Sequence, residues 1–181
     1  MSERRVDSSL SISERLESLG IDPCLIASRN LPIYAEAKNL VVADVSKSGR
    51  KHMLTPPAAN AWLKMKASAK ADGVSLIIVS AFRSVKSQVE LVKCKLDQGD
   101  TAESIFMSNA PPGHSEHHTG HAIDIGTLGC QPLTPEFEAT QAYAWLSEHA
   151  HEFGFRLSYP EGNELGFCYE PWHWRYHNSD T

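Results

Sequence analysis

The chain has 181 residues, 41% hydrophobic and 22% charged, with a formal net charge of -5. That length fits one domain with a real core. The acidic balance argues against a nucleic-acid partner, and no lysine- or arginine-rich stretch is dense enough to dock on an anionic membrane.

The N-terminal decapeptide, Met1 to Leu10, is polar, and no apolar run follows Arg4 and Arg5. It does not read as a secretory signal, so the expected location is the cytoplasm. The longest apolar runs, Leu40 to Ala43 and Leu76 to Val79, are far too short to span a bilayer. Cys24, Cys94, Cys130 and Cys168 are scattered without a C-x-x-C pair and read as incidental thiols.

In chain order, Ser11-Ile-Ser-Glu14 is a capping box opening a short helix that ends at Leu19 before Gly20. Residues 22–38 read as irregular, and Leu40 to Val45 as a strand. A polar turn covers Ser46 to Lys51. Thr55-Pro56-Pro57 starts a helix whose buried stripe is Ala58, Ala61, Trp62, Met65 and Ala69. Val74 to Ser80 reads as a buried strand, and Ser84 to Gln98 as a helix closed by Gly99. A loop spans Asn109 to Gly113. Ala122 to Gly126 is a strand whose Ile123 and Ile125 face the core, which turns Asp124 to the opposite face. Pro135 to Phe153 reads as one long helix ended by Gly154. Phe155 to Tyr159 and Trp172 to Tyr176 are the last strands. Strands and helices do not alternate in βαβ units, which predicts an α+β fold with a mainly antiparallel sheet.

The segment from Pro112 to Asp124 holds four histidines and two carboxylates, and Glu170-Pro171-Trp172-His173 adds a further pair. A catalytic zinc needs three protein ligands and an open position, which His117, Asp124 and His173 could supply. Gly120 lets the chain bend between the first two ligands. Glu170, three residues before His173, is placed to act as general base without ligating the metal. Arg83, at the end of an apolar strand, suits stabilisation of an oxyanion.

Three motifs carry a family resemblance: Ser80-Ala-Phe-Arg83-Ser84 with Gln88; Pro112-Gly113-x-Ser115-Glu116-His117-x-Thr119-Gly120-x-Ala122-x-Asp124; and Glu170-Pro-Trp-His173-Trp-Arg175. Together they resemble the VanY-like D-alanyl-D-alanine carboxypeptidases, a zinc peptidase group that includes L,D-carboxypeptidases and D,D-dipeptidases. The resemblance covers roughly residues 50 to 178. Residues 1–49 are then an N-terminal helix and irregular segment packed on that core, within a single domain. It implies a zinc cleft over an antiparallel sheet flanked by helices, as in LAS-type, Hedgehog-like metallopeptidases. It implies Zn2+ on His117, Asp124 and His173, with Glu170 as base and Arg83 stabilising the intermediate. The implied substrate is a peptidoglycan-derived peptide ending in D-alanine. Position 118, glutamine in many relatives, is histidine here, so His118 is expected to tune the pocket.

Several residues keep two readings. His121 is either a second ligand on a helical H-x-x-x-H pair or, since Gly120 and a strand-like run disfavour a helix there, a supporting or solvated side chain. Trp172 and Trp174, on one face of a strand, either pack in the core or stack on a ligand. Ser115 and Gln88 either hold the substrate or order their loops. Arg175 is expected in a structural ion pair. Ser48-Gly-Arg-Lys51 matches S-x-x-K without the partner motifs of serine enzymes and reads as coincidence. An apparently leaderless chain tilts the expected bond toward L,D-cleavage of recycled tetrapeptides, against D,D-cleavage of pentapeptides. The rival from another class is a non-enzymatic module that keeps the zinc cleft for binding.

Overall fold

The computed structural model describes residues 11–177. The N-terminal decapeptide read above as polar lies outside the described residues.

The capping box forms as expected and opens helix α1 (Ile12–Ser18), with Ser11 and Glu14 bonding reciprocally. A single helical turn, α2 (Cys24–Ala27), interrupts the segment expected to be irregular. Strand β1 (Val41–Val45) pairs antiparallel with β2 (Lys51–Leu54), a strand missing from the expected elements. Its alternating burial puts His52 and Leu54 inward, a pattern too short to stand out from the preceding polar turn.

Helix α3 (Pro56–Ala71) starts with proline in its first turn, where no amide donor is needed. All five residues of its expected stripe are buried. Strand β3 (Ile77–Ser80) is shorter than the run suggested by its apolar residues. Helix α4 (Val85–Asp97) is capped by the Ser84 side chain, which accepts from the Ser87 amide. An unexpected helix, α5 (Ala102–Ser108), follows; Thr101 caps it, and Ile105 and Phe106 anchor it.

Strand β4 (Ala122–Gly126) is buried at every position. The long helix expected over 135–153 is instead three pieces: a 3-10 turn (Pro135–Ala139), helix α6 (Gln141–His149) and a 3-10 turn (Ala150–Phe153). Thr140 makes the first break. It stands in extended conformation, its hydroxyl donating to the Phe137 carbonyl at 2.7 Å and accepting from the Tyr143 amide at 3.2 Å. A short hydroxyl side chain that satisfies backbone groups on both sides ends one helix and starts the next.

Strands β5 (Phe155–Leu157) and β6 (His173–Tyr176) complete a four-stranded sheet of order β3-β4-β6-β5, antiparallel throughout. One face packs on α3 and α6: Trp62, Met65, Leu146, Ile123, Ile125 and Trp174 share one buried cluster. All four cysteines are free. Among the described residues, no helix is long and apolar enough to cross a membrane.

The register sets the site. Asp124 on β4 stands opposite His173 on β6 and, across the other edge, opposite Ser80 on β3. Directly paired residues of antiparallel strands project on one face about 5 Å apart. Gly120 delivers the preceding turn into this face. Its backbone is left-handed at φ 66°, and a Cβ there would lie 2.9 Å from Leu40 Cδ2 and 3.2 Å from Thr55 Cγ2. Gly120→Ala should therefore destabilise the fold by about 1–3 kcal/mol, combining a left-handed backbone with a steric contact. Urea unfolding should show a lower midpoint at unchanged slope.

Candidate metal centre and active-site cleft

Residues Glu116–Thr119 form a 3-10 turn that Gly120 closes. The turn is pinned on both sides. The Arg83 amide donates to the His117 carbonyl at 3.2 Å, and the Ala37 amide to the His118 carbonyl at 2.8 Å. His117 is thereby aimed at Asp124, its Nε2 lying 3.2 Å from Oδ2. From β6, His173 Nδ1 lies 3.0 Å from Asp124 Oδ1. His117, Asp124 and His173 are all buried and present ligand atoms within 4.8 Å of one another.

This donor set fits zinc. Four ligands at 2.0–2.1 Å in tetrahedral array stand about 3.3 Å apart, close to the nitrogen–oxygen separations found here. Two imidazoles and one carboxylate also suit zinc over harder cations. The far side of His173 is held as a ligand histidine needs. Its Nε2 meets Glu116 Oε2 at 3.0 Å, leaving Nδ1 for the centre. His117 Nδ1 is buried without a hydrogen-bond partner among the described residues, so only its Nε2 edge is engaged.

Glu116 was not among the expected site residues. Its carboxylate is a hub: Ser158 Oγ donates to Oε2 at 2.6 Å, and Arg175 Nη1 to Oε1 at 3.0 Å. Arg175 also donates to the Tyr34 hydroxyl at 3.2 Å and lies over that ring at 4.9 Å. Arg175 is thus the structural ion-pair partner expected. Burial would raise the Glu116 pKa, but the hydrogen bond and charge of His173, with Ser158 and Arg175, hold it at about 2. For His173, burial would favour the neutral ring, but the Asp124 and Glu116 hydrogen bonds override it and raise its pKa to about 10. The signal for Glu116 was present as a carboxylate adjacent to His117, with an arginine two residues after His173.

Glu170 sits beside the ligands without joining them, Oε2 lying 3.8 Å from His173 Nδ1. Its backbone is tied at both ends, the amide to the Tyr159 carbonyl at 3.1 Å and the carbonyl to the His173 amide at 3.0 Å. Burial above all, with the charges of Asp124 and Glu116, pushes the Glu170 carboxyl up to about 7 against the pull of His173 and Arg83. A carboxyl poised there can accept and return a proton near neutral pH.

Arg83 is fixed by Gln88 Oε1 on Nη1 at 2.9 Å and by Ser80 Oγ on Nη2 at 3.0 Å. Both ends of Gln88 are committed, since its Nε2 donates to the Ala110 carbonyl at 2.7 Å. Gln88 is fully buried, and its two hydrogen bonds order Arg83 and the loop at 110. Ser115 does line the cleft, beside Arg83, Glu170 and the three ligands.

The remaining histidines separate by environment. His118 is fully buried and away from the cleft. Its Nδ1 meets the Arg83 carbonyl at 2.6 Å, and its Nε2 accepts from the Gly113 amide at 3.1 Å. It bolts two motifs together, where tuning of the pocket was expected. His121 packs edge-on against Tyr176 and is not among the converging ligands. His114 Nδ1 meets the Pro32 carbonyl at 2.9 Å. The two tryptophans also part. Trp174 is buried in the core, whereas Trp172 precedes β6 and lines the cleft. Tyr159, likewise not foreseen, stacks 4.6 Å from the His173 ring on the cleft wall.

The cleft encloses about 260 Å³. Ser108, Asn109, Leu133, Phe167 and Lys95 on α4 also line it.

A buried His/Asp/His triad, a carboxyl held near neutrality and a clamped arginine define a metallohydrolase-type centre on an antiparallel sheet. The family model described as "VanY: D-alanyl-D-alanine carboxypeptidase" matches residues 51–179, and the chain belongs to that family. YodJ of Bacillus subtilis is 33% identical over 154 residues, covering 81% of this chain and 56% of that protein. A D-alanyl-D-alanine carboxypeptidase of Enterococcus faecalis is 34% identical over 119 residues, 60% of this chain and 42% of the relative. The chain thus spans about half the length of these curated relatives, 56% and 42%. Among solved structures, the LdcB LD-carboxypeptidase superposes with a TM-score of 0.69 at 32% identity, covering 80% of this chain and 71% of that one. VanYB in complex with D-Alanine-D-Alanine gives 0.62 at 30%, covering 80% and 81%. A D,D-pentapeptidase VanY mutant in complex with Zn(II) gives 0.59 at 30%, covering 80% and 86%.

Glu116→Gln keeps the size of the hub side chain but removes its charge. Zinc affinity, measured by chelator competition, should fall roughly 10–100-fold, the usual cost of losing a carboxylate behind a ligand histidine.

Proposed function

We propose that this protein is a zinc-dependent carboxypeptidase that releases C-terminal D-alanine from peptidoglycan stem peptides. The observation that carries it is the pairing of the converged His117, Asp124 and His173 with a separate carboxyl, Glu170, in one cleft. The Zn(II)-bound VanY relative supports the choice of metal.

Zinc held by the triad would lower the pKa of water toward neutrality and polarise the scissile carbonyl. In the proposed mechanism, Glu170 takes the proton from the attacking water and returns it to the departing amine of D-alanine. The guanidinium of Arg83, kept rigid by Gln88 and Ser80, faces the charge that develops on the carbonyl oxygen. Ser115 offers a hydroxyl beside them for the backbone or terminal carboxylate of the peptide. Tyr159 and Trp172 wall the reacting groups from bulk water.

The preferred substrate in this proposal is the tetrapeptide, cut between its diamino acid and D-alanine. The likeness to the LdcB LD-carboxypeptidase supports it. The pentapeptide ending in D-Ala-D-Ala is its competitor, supported by the likeness to VanYB with bound D-Alanine-D-Alanine. Incubating the zinc-loaded protein with each peptide and weighing the products decides between them; faster release from the pentapeptide would reverse the preference.

Glu170→Ala should bind zinc stoichiometrically yet lose roughly 10²–10⁴-fold in kcat, the contribution of a general acid–base group. Arg83→Ala should lose about 10²–10³-fold in kcat. Near-normal D-alanine release by Glu170→Ala would overturn the mechanism. Stoichiometric zinc in the wild type without hydrolysis of either peptide would overturn the activity.

A further inference from the structure

The cleft carries one charge that the proposed chemistry does not use. Lys95 projects from α4 into the same cavity as the metal ligands, and it is partly buried. Among the described residues no carboxylate pairs with it. The protein carries a net charge of -5, so an unpaired cation inside this cleft is not a by-product of a basic surface. Ser108, at the end of α5, and Asn109 line the same cavity.

Gln88 and Lys95 share a helix face with the buried Val92, seven residues apart. At about 1.5 Å per residue, Lys95 lies roughly 10 Å along α4 from Gln88, which clamps Arg83.

We propose that Lys95 forms a subsite that recognises a free carboxylate carried within the peptide, apart from its C-terminal carboxylate. An ammonium facing a carboxylate in a partly desolvated groove makes a charge-assisted hydrogen bond. Stem peptides offer such a carboxylate in two places. One is the α-carboxylate of the γ-linked glutamate; the other is the distal carboxylate of diaminopimelate, where that is the third residue. The inference rests on the proposed stem-peptide substrate, and it adds what selects among such peptides.

The test uses the zinc-loaded full chain and four tetrapeptides: both carboxylates free, each amidated alone, and both amidated. The wild type should prefer the fully free peptide over the doubly amidated one by about tenfold in kcat/KM, the scale of one charge-assisted hydrogen bond. Lys95→Ala should abolish that preference through KM, with kcat retained, and Lys95→Arg should restore it. The single amidation that reproduces the loss identifies the carboxylate. Equal rates on all four peptides, or a Lys95→Ala loss of the same size on each, would overturn the subsite. Calorimetric binding separates this from the activity itself. Lys95-dependent tighter binding of the free peptide without cleavage would support the subsite and sink the hydrolase reading. Absence of binding would sink both.

Discussion

The structure depends on one buried carboxylate. Asp124 lies at the centre of a strand that is covered at every position, where an unpaired charge would cost several kcal/mol. Two imidazoles answer it, one on each oxygen. Burial opposes ionisation of Asp124, yet the charges and hydrogen bonds of His117 and His173 drive its pKa far below the ordinary range. Those partners come from opposite directions. His173 arrives through the β4–β6 register, and His117 through a 3-10 turn closed by a left-handed glycine. A one-residue slip of β6 would turn His173 to the core face and leave Asp124 half-answered.

Around that carboxylate the cleft assigns different work to groups of the same chemistry. Glu116 and Glu170 are both buried beside His173. Burial works against ionisation of each. Glu116 overcomes it with hydrogen bonds from His173 and Ser158 and the charge of Arg175, and stays ionised, a fixed brace. Glu170 has His173 and Arg83 to oppose burial, and they do not overcome it. Two glutamates pushed in opposite directions is the pattern by which a site separates a structural anion from a proton carrier.

Support for the site reaches beyond the three motifs. Tyr34, before the segment matched to the family, meets Arg175, which holds Glu116, which holds His173. His118 links the Gly113 loop to the backbone of Arg83, and Gln88 links the same arginine to Ala110. Each bridge joins residues far apart in sequence, which is why the local pattern around His118 and Gln88 suggested pocket and substrate roles. In isolation a polar side chain near a ligand does not reveal which partner satisfies it.

By itself the sequence determined the elements whose signal is local: the capping box of α1, the buried stripe of α3, the alternation of β4 and the α+β class. It also determined the candidate ligands, base and arginine, because histidine and carboxylate at those spacings have few other uses. Strand β2 and helix α5 were hidden, being too short for periodicity to show. The break at Thr140 was hidden because a cap hydroxyl competes with a helix only when the backbone on both sides is placed. The tertiary structure alone decided that Glu116 stands behind His173, that Trp172 faces the cleft while Trp174 enters the core, and that Lys95 shares a cavity with the metal ligands. Those facts follow from strand register and helix docking. Both are fixed by burial across the whole chain, which no short stretch of residues encodes.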